Sequence, residues 1–172
     1  MKVLYITASD KKNKNAAGTR LNNILPIISS NVTLKTIFLN DLTKGFQNSK
    51  HNSIIKWFTN IYPMSFQPFL NSEIKSIILK EYIKFKPDII HFDGFQSFSL
   101  ANIFSTSYKI FHSHDAYSKK FSGWIKAESN LLRKAFLTFE FRKALITEKK
   151  LFKGKHTIIV DSNEDKFYYY NR

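Results

Sequence analysis

PDIIHFDGFQSFSLANIFSTSYKIFHSHD, residues Pro87–Asp115, decides how this chain reads. Two short apolar runs, DIIHF and KIFHS, each lead into polar residues. Asp93 and Gly94 follow the first, and His114 and Asp115 follow the second. A helix-length segment, 97–105, lies between them. Two parallel strands joined by a crossover have this pattern, and such strands deliver binding residues at their carboxyl ends. His112, His114, Asp115 and Asp93 are therefore the first candidates for chemistry.

Working outward, KVLYIT (2–7) reads as a buried strand and 20–29 as a helix, with Leu21, Ile24, Leu25 and Ile28 at helical spacing and Pro26 as a kink. VTLKTIFL (32–39) is β-branched and reads as the second strand. Residues 72–85 form an amphipathic helix capped by Ser72 and stopped at Lys86-Pro87. Residues 119–155 look mostly helical, with eleven Lys/Arg against three acids. TIIVD (157–161) is a last strand, and Ser162-Asn163-Glu164-Asp165 opens another helix. The expected architecture is a single Rossmann-like α/β domain over residues 1–172, mainly parallel. Val3–Ile6, Asp88–His91, Ile110–His112 and Ile158–Val160 are its inner strands, with helices on both faces.

Composition narrows the function. The chain has 172 residues, enough for one domain with a sizeable core, and carries 27 Lys+Arg against 13 Asp+Glu, a net charge of +14. That charge suits anionic partners: phosphorylated ligands, nucleic acid or an anionic membrane surface. Nucleic-acid binding is not expected, because the strands read as buried on both faces and leave no basic, aromatic sheet surface. Cysteine is absent, which excludes disulfides and thiolate metal sites. No apolar run approaches the ~20 residues of a membrane span. A cytoplasmic protein is expected, or one peripheral on the inner face of the membrane.

Candidate residues follow from position. His112 and His114 point the same way if their strand continues, but as a zinc pair they lack a third ligand in the sequence, so no metal is expected. Asp115 can orient His114, bind a hydroxyl or cap the next helix, and a cap is its expected role. Gly94 permits a tight turn or a close backbone approach to a ligand beside Asp93. His91 lies inside its strand and reads as a satisfied core residue. Gly18 ends the first loop before the first helix, flanked by Lys11, Lys12, Lys14 and Arg20, where backbone amides suit an anion. The aromatic stretch 54–70 is either core packing or a surface that inserts Trp57, Phe58, Tyr62 and Phe66 at a lipid interface beside Lys50 and Lys56.

KVLYIT with the loop to Gly18, PDIIHFDG, KIFHSHD, the helix with Glu140 and Arg142, and IIVDSNED stand in an order and spacing that cover nearly the whole chain. In this the chain resembles the N-terminal domain of a GT-B glycosyltransferase of the retaining group called family 4. The resemblance implies two Rossmann-like domains facing across a cleft, with the acceptor on the first and the nucleotide-sugar on the second, which these residues do not include. It implies that His114 lies near the transferred sugar and leaving phosphate, that Gly18 approaches donor phosphate or acceptor, and that no cofactor or metal is needed beyond the nucleotide-sugar donor. Where relatives carry two adjacent glycines, this chain has Ala16-Ala17-Gly18. The group's paired-glutamate signature belongs to the second domain. Glu140 and Glu148 share its spacing but sit in FEFRKALITEKK without Gly or Pro, and read as a solvated helix face.

The expected function is acceptor binding within an enzyme that moves a sugar from a nucleotide-sugar to a glycan or lipid-linked acceptor in bacterial surface-polysaccharide synthesis. The chain alone is expected to be inactive. The alternatives are a standalone membrane-recruiting subunit that pairs with a separate donor-binding chain, and an unrelated Rossmann-like nucleotide-binding protein. No G-x-G-x-x-G or P-loop supports the last.

Overall fold

The computed structural model describes residues 1–10, 16–44, 54–105, 107–154 and 156–170. Lys11, Lys12, Lys14, Lys50 and the side chain of Lys56 lie outside what is described. Five strands, β1 (Lys2–Thr7), β2 (Thr33–Phe38), β3 (Ile89–Asp93), β4 (Tyr108–Ser113) and β5 (Thr157–Val160), alternate with helices. The helices are α1 (Ala16–Asn31), α2 (Leu39–Lys44), α3 (Ile54–Thr59), α4 (Ser72–Phe85), α5 (Phe95–Phe98), α6 (Tyr117–Ala127), α7 (Leu131–Phe152) and α8 (Asn163–Tyr170), with 3-10 turns at Met64–Leu70 and Ala101–Ile103.

All strands are parallel, in the order β2-β1-β3-β4-β5, so the fold is the expected Rossmann-like α/β sheet. Side chains alternate between its faces. Leu4, Ile6, Ile90, Phe92 and Phe111 enter a large core with Leu39, Phe66, Phe69, Ile74, Ile78, Phe95 and Phe98. Tyr5, on the opposite face, packs with Leu21 and Leu25 of α1. One face is thus deeply covered, and on the other the buried cluster is the small one built on α1. β5 differs from expectation. It is the edge strand, paired among the described residues only with β4, and Ile158 and Ile159 are 37% and 40% exposed.

Several ends also move. α1 starts at Ala16, so Gly18 lies inside its first turn rather than before it, and the helix runs through Pro26. The α4 cap is Asn71, whose side chain accepts from the Glu73 N–H at 2.9 Å, and not Ser72. Asp115 does not cap α6: Ala116 holds the cap position without a side-chain bond. The reason lies across the fold. Buried Glu148 of α7 accepts from both the backbone N–H and the hydroxyl of Ser118, satisfying the α6 start from outside its own chain segment. Asp115 turns to solvent beside Lys120, 3.7 Å away, while its carbonyl accepts from Ser113 and Tyr169.

Glu140 works in the same way. It is buried, accepts from Trp57 Nε1 and from the Met64 N–H, both at 2.7 Å, and pairs with buried Lys143. Neither glutamate belongs to a solvated face. Each carboxylate holds α7 to another element, because a buried carboxylate must find donors and the nearest unpaired ones are the starts of short helices. In the 54–70 stretch Phe66 is fully buried and Trp57 stacks on Phe136, while Phe58 is exposed. Three of the four candidate insertion residues thus pack against the protein. No described helix is long and apolar enough to cross a membrane.

Two measurements check this account. Glu148→Ala should lower unfolding free energy in urea by about 2–4 kcal/mol, because it strands the buried Ser118 donors. Lys86 ends α4 in the left-handed region at φ 50°, with its side chain exposed. Lys86→Gly should therefore raise stability, by roughly 0.5–1 kcal/mol, as glycine adopts that conformation without a Cβ clash.

Candidate functional site

Each strand that meets the site carries a polar residue on the same face, near or just beyond its carboxyl end. The register aligns Thr7 of β1 with Asp93 of β3, and Asp93 with His112 of β4. His114 follows β4 by one residue, and Asp161 follows β5. The chain runs β1 to β2 on one side and then returns to place β3 on the other side of β1, so the row lies at the switch point where open α/β sheets bind ligands.

Asp93 is the centre of the row. Its side chain is 0% exposed, and its two oxygens receive four contacts from three other elements. Thr7 Oγ1 donates to Oδ2 at 2.6 Å. The Arg20 guanidinium of α1 donates to both oxygens at 2.9 and 3.0 Å. His114 Nε2 stands 2.6 Å from Oδ1. Burial alone would push this carboxyl up, but the His114 bond and charge, the Thr7 hydroxyl and the Arg20 charge together bring it down to about 2.

His114 is gripped on both sides. Its Nδ1 meets Asp161 Oδ2 at 2.8 Å, and the other Asp161 oxygen meets His112 Nε2 at 2.6 Å. Both His114 bonds at once need N–H donors on both ring nitrogens, or a protonated carboxyl on one side. Asp161 is held below the ordinary carboxylate range, since its bonds to His114 and His112 outweigh partial burial. The histidine rings lie 4.3 Å apart. Behind them, His91 stacks on Tyr5 at 4.6 Å and sits 5.9 Å from His112.

His91 is buried as expected but not satisfied. Its Nε2 has no partner among the described residues. Burial lowers the His91 pKa to about 4, with Asp93 opposing, and keeps the ring neutral near pH 7. The Tyr5 phenol is pushed above its usual range by burial and then by the charge of Asp93.

The fold thus brings together Asp93, His112 and His114 of the sequence candidates. Gly94 adjoins them at φ 85°, its N–H bonded to the His112 carbonyl at 2.9 Å, so it locks the turn after β3 against β4. Gly18 is buried in the first turn of α1, and Asp115 points to solvent beside Lys120. Thr7 and Asp161 were not singled out as sequence candidates, and Arg20 was read only as loop charge. A signal for Thr7 and Asp161 does exist: both are the polar residue that closes an apolar strand run, as Asp93 is. Nothing local marks Arg20, which α1 carries across to Asp93.

A groove of about 570 Å³ lined by Tyr82, Ile83, Lys86, Pro87, Asp88 and Ser107 opens at the other end of the sheet. Its lining holds no comparable cluster, and the one found among the described residues lies at the carboxyl ends of the strands. There the arrangement can hold a proton on His114 between two carboxylates, offer N–H donors to a ligand oxygen, or release its nitrogens to a cation. Comparison with protein-family models, with curated proteins and with solved structures finds no match for this chain, so its site is read from geometry and chemistry.

The two aspartates should differ in substitution. Asp93→Ala should cost about 3–5 kcal/mol in urea unfolding, because it leaves buried partners without their charge. Asp161→Ala, half-exposed, should cost about 1 kcal/mol or less. Equal losses would contradict the central role of Asp93.

Proposed function

We propose that this chain is the acceptor-binding half of a retaining GT-B glycosyltransferase of bacterial surface-polysaccharide synthesis. The observation that carries the reading is the place of His114. It stands at the carboxyl end of β4, on the ligand-binding edge of the sheet, with 21% of its side chain open to solvent and a carboxylate on each ring nitrogen. A ligand hydroxyl or phosphate oxygen that displaces the half-exposed Asp161 meets an imidazole N–H already oriented by Asp93.

In the whole enzyme the bond between the sugar's anomeric carbon and the nucleotide diphosphate breaks, and a bond to an acceptor oxygen forms. The acceptor proton leaves to solvent or to the departing phosphate. This half contributes acceptor binding and the His114 hydrogen bond. A second domain or partner chain contributes the nucleotide-sugar site. The +14 net charge favours the anionic donor, a lipid-linked phosphate acceptor and an inner-membrane surface. A standalone subunit pairing with a donor-binding chain is the second reading. Leu131 and Leu132, 80% and 84% exposed at the start of α7, favour it as a surface that a partner would cover.

The test uses the chain as it is and then with a donor-binding half supplied. Isotope-labelled residues 1–172 should show imidazole shifts at His114 on titration with glycan or lipid-linked acceptors, and should transfer no sugar from any nucleotide-sugar. With a donor-binding half present, His114→Ala should lower turnover by roughly ten- to a thousandfold, the scale of one lost transition-state hydrogen bond, in protein that circular dichroism shows to be folded. Robust transfer by the chain alone, or normal turnover of His114→Ala, would overturn the reading.

A further inference from the structure

We infer that His112, His114 and Asp93 form a binding site for a divalent transition-metal ion of the zinc type. The third ligand that the sequence does not show beside the two histidines comes from the neighbouring strand. One donor atom from each of Asp93, His112 and His114 lies within 4.8 Å of the other two. In a tetrahedral zinc shell with bonds of about 2.0–2.2 Å, donors stand roughly 3.3 Å apart. The His114 Nε2–Asp93 Oδ1 pair, now 2.6 Å apart, opens by roughly 0.7 Å as the ion takes the place of the shared proton, while Asp161 keeps the other ring nitrogen of His114 at 2.8 Å.

Four features make this more than a cluster of titratable groups. The three primary donors lie on or one residue beyond adjacent strands that register Asp93 with His112, so their spacing is fixed by backbone hydrogen bonds and not by a loop. The ligating carboxylate has its own support, from Thr7 on one oxygen and Arg20 on both, which is how outer partners orient metal ligands. His91 Nε2 is buried beside the cluster without a partner among the described residues, as a polar group is when an ion's water completes its bonding. The exposure of His114 and Asp161 leaves a path from solvent and a position for a water or ligand.

Two imidazoles with carboxylates suit zinc, cobalt, nickel or ferrous iron better than magnesium or calcium, which prefer all-oxygen shells. The inference stands apart from the transferase reading, which calls for no metal. A bound dication would offer its open position to anionic oxygens such as phosphate.

The experiment is calorimetric titration of chelator-treated residues 1–172 with zinc chloride, and the absorption spectrum of the same protein with cobalt(II). One ion per chain, a raised melting temperature and visible cobalt bands of a tetrahedral or five-coordinate site are expected. His112→Ala and His114→Ala should each weaken binding at least ~tenfold. His156→Ala, away from the cluster against Phe98, should leave it unchanged. Where a variant fails to fold by circular dichroism, the wild-type cobalt protein decides: two imidazoles with paramagnetically shifted resonances support the site. Fewer than two, no stoichiometric binding, or binding that survives loss of both histidines overturns it.

Discussion

A carboxylate with no exposed surface sits where four strand ends meet, and much of the candidate site follows from it. Removing such a charge from water costs several kcal/mol unless its oxygens are filled by donors. Asp93 obtains those donors from β1, α1 and the residue after β4. The bonds therefore also tie the first helix and the third and fourth strands in sequence to one point. Once Arg20 and Thr7 hold Asp93, its remaining direction faces the imidazole of His114, which Asp161 grips from the solvent side.

Charge burial recurs as a structural device elsewhere. Glu140 and Glu148, eight residues apart on α7, each terminate the donors of a separate element: Trp57 with the Met64 N–H, and the first turn of α6. A helix with an apolar stripe alone could rotate or slide. Two buried carboxylates that each accept specific N–H groups set its position, since a shift would strand both charges and donors. The sheet itself is asymmetric. Its thick face carries the aromatic core of Phe66, Phe92, Phe98 and Phe111, and the other face is the one on which the histidines and aspartates lie.

The two functional readings share one geometry but use it differently. In the transfer reading, His114 keeps its Nε2 contact with Asp93 and turns its other ring nitrogen to a ligand oxygen. For metal binding, the proton between His114 and Asp93 is exchanged for a cation. Both rest on the same feature, an imidazole whose ring nitrogens are both engaged by carboxylates at the edge of a parallel sheet.

The sequence by itself determined the fold class and set Asp93, His112 and His114 at strand ends. Apolar runs of four to six residues, spaced by helical segments, encode parallel strands, because a strand buried on both faces needs a continuous apolar run and a parallel neighbour needs a crossover. Asp93, His112 and His114 were legible because ligands gather where such runs end. Tertiary structure decided the rest. Strand order put β5 at the edge, brought Asp161 to the histidines and let α1 carry Arg20 over Asp93. It also turned two glutamates that read as solvated into buried anchors and moved the α6 cap from Asp115 to Glu148. These outcomes depend on which donors stand next to which acceptors across 30 to 83 residues of chain. Local periodicity holds no record of that pairing, because it is set by packing and by the cost of leaving a buried charge alone.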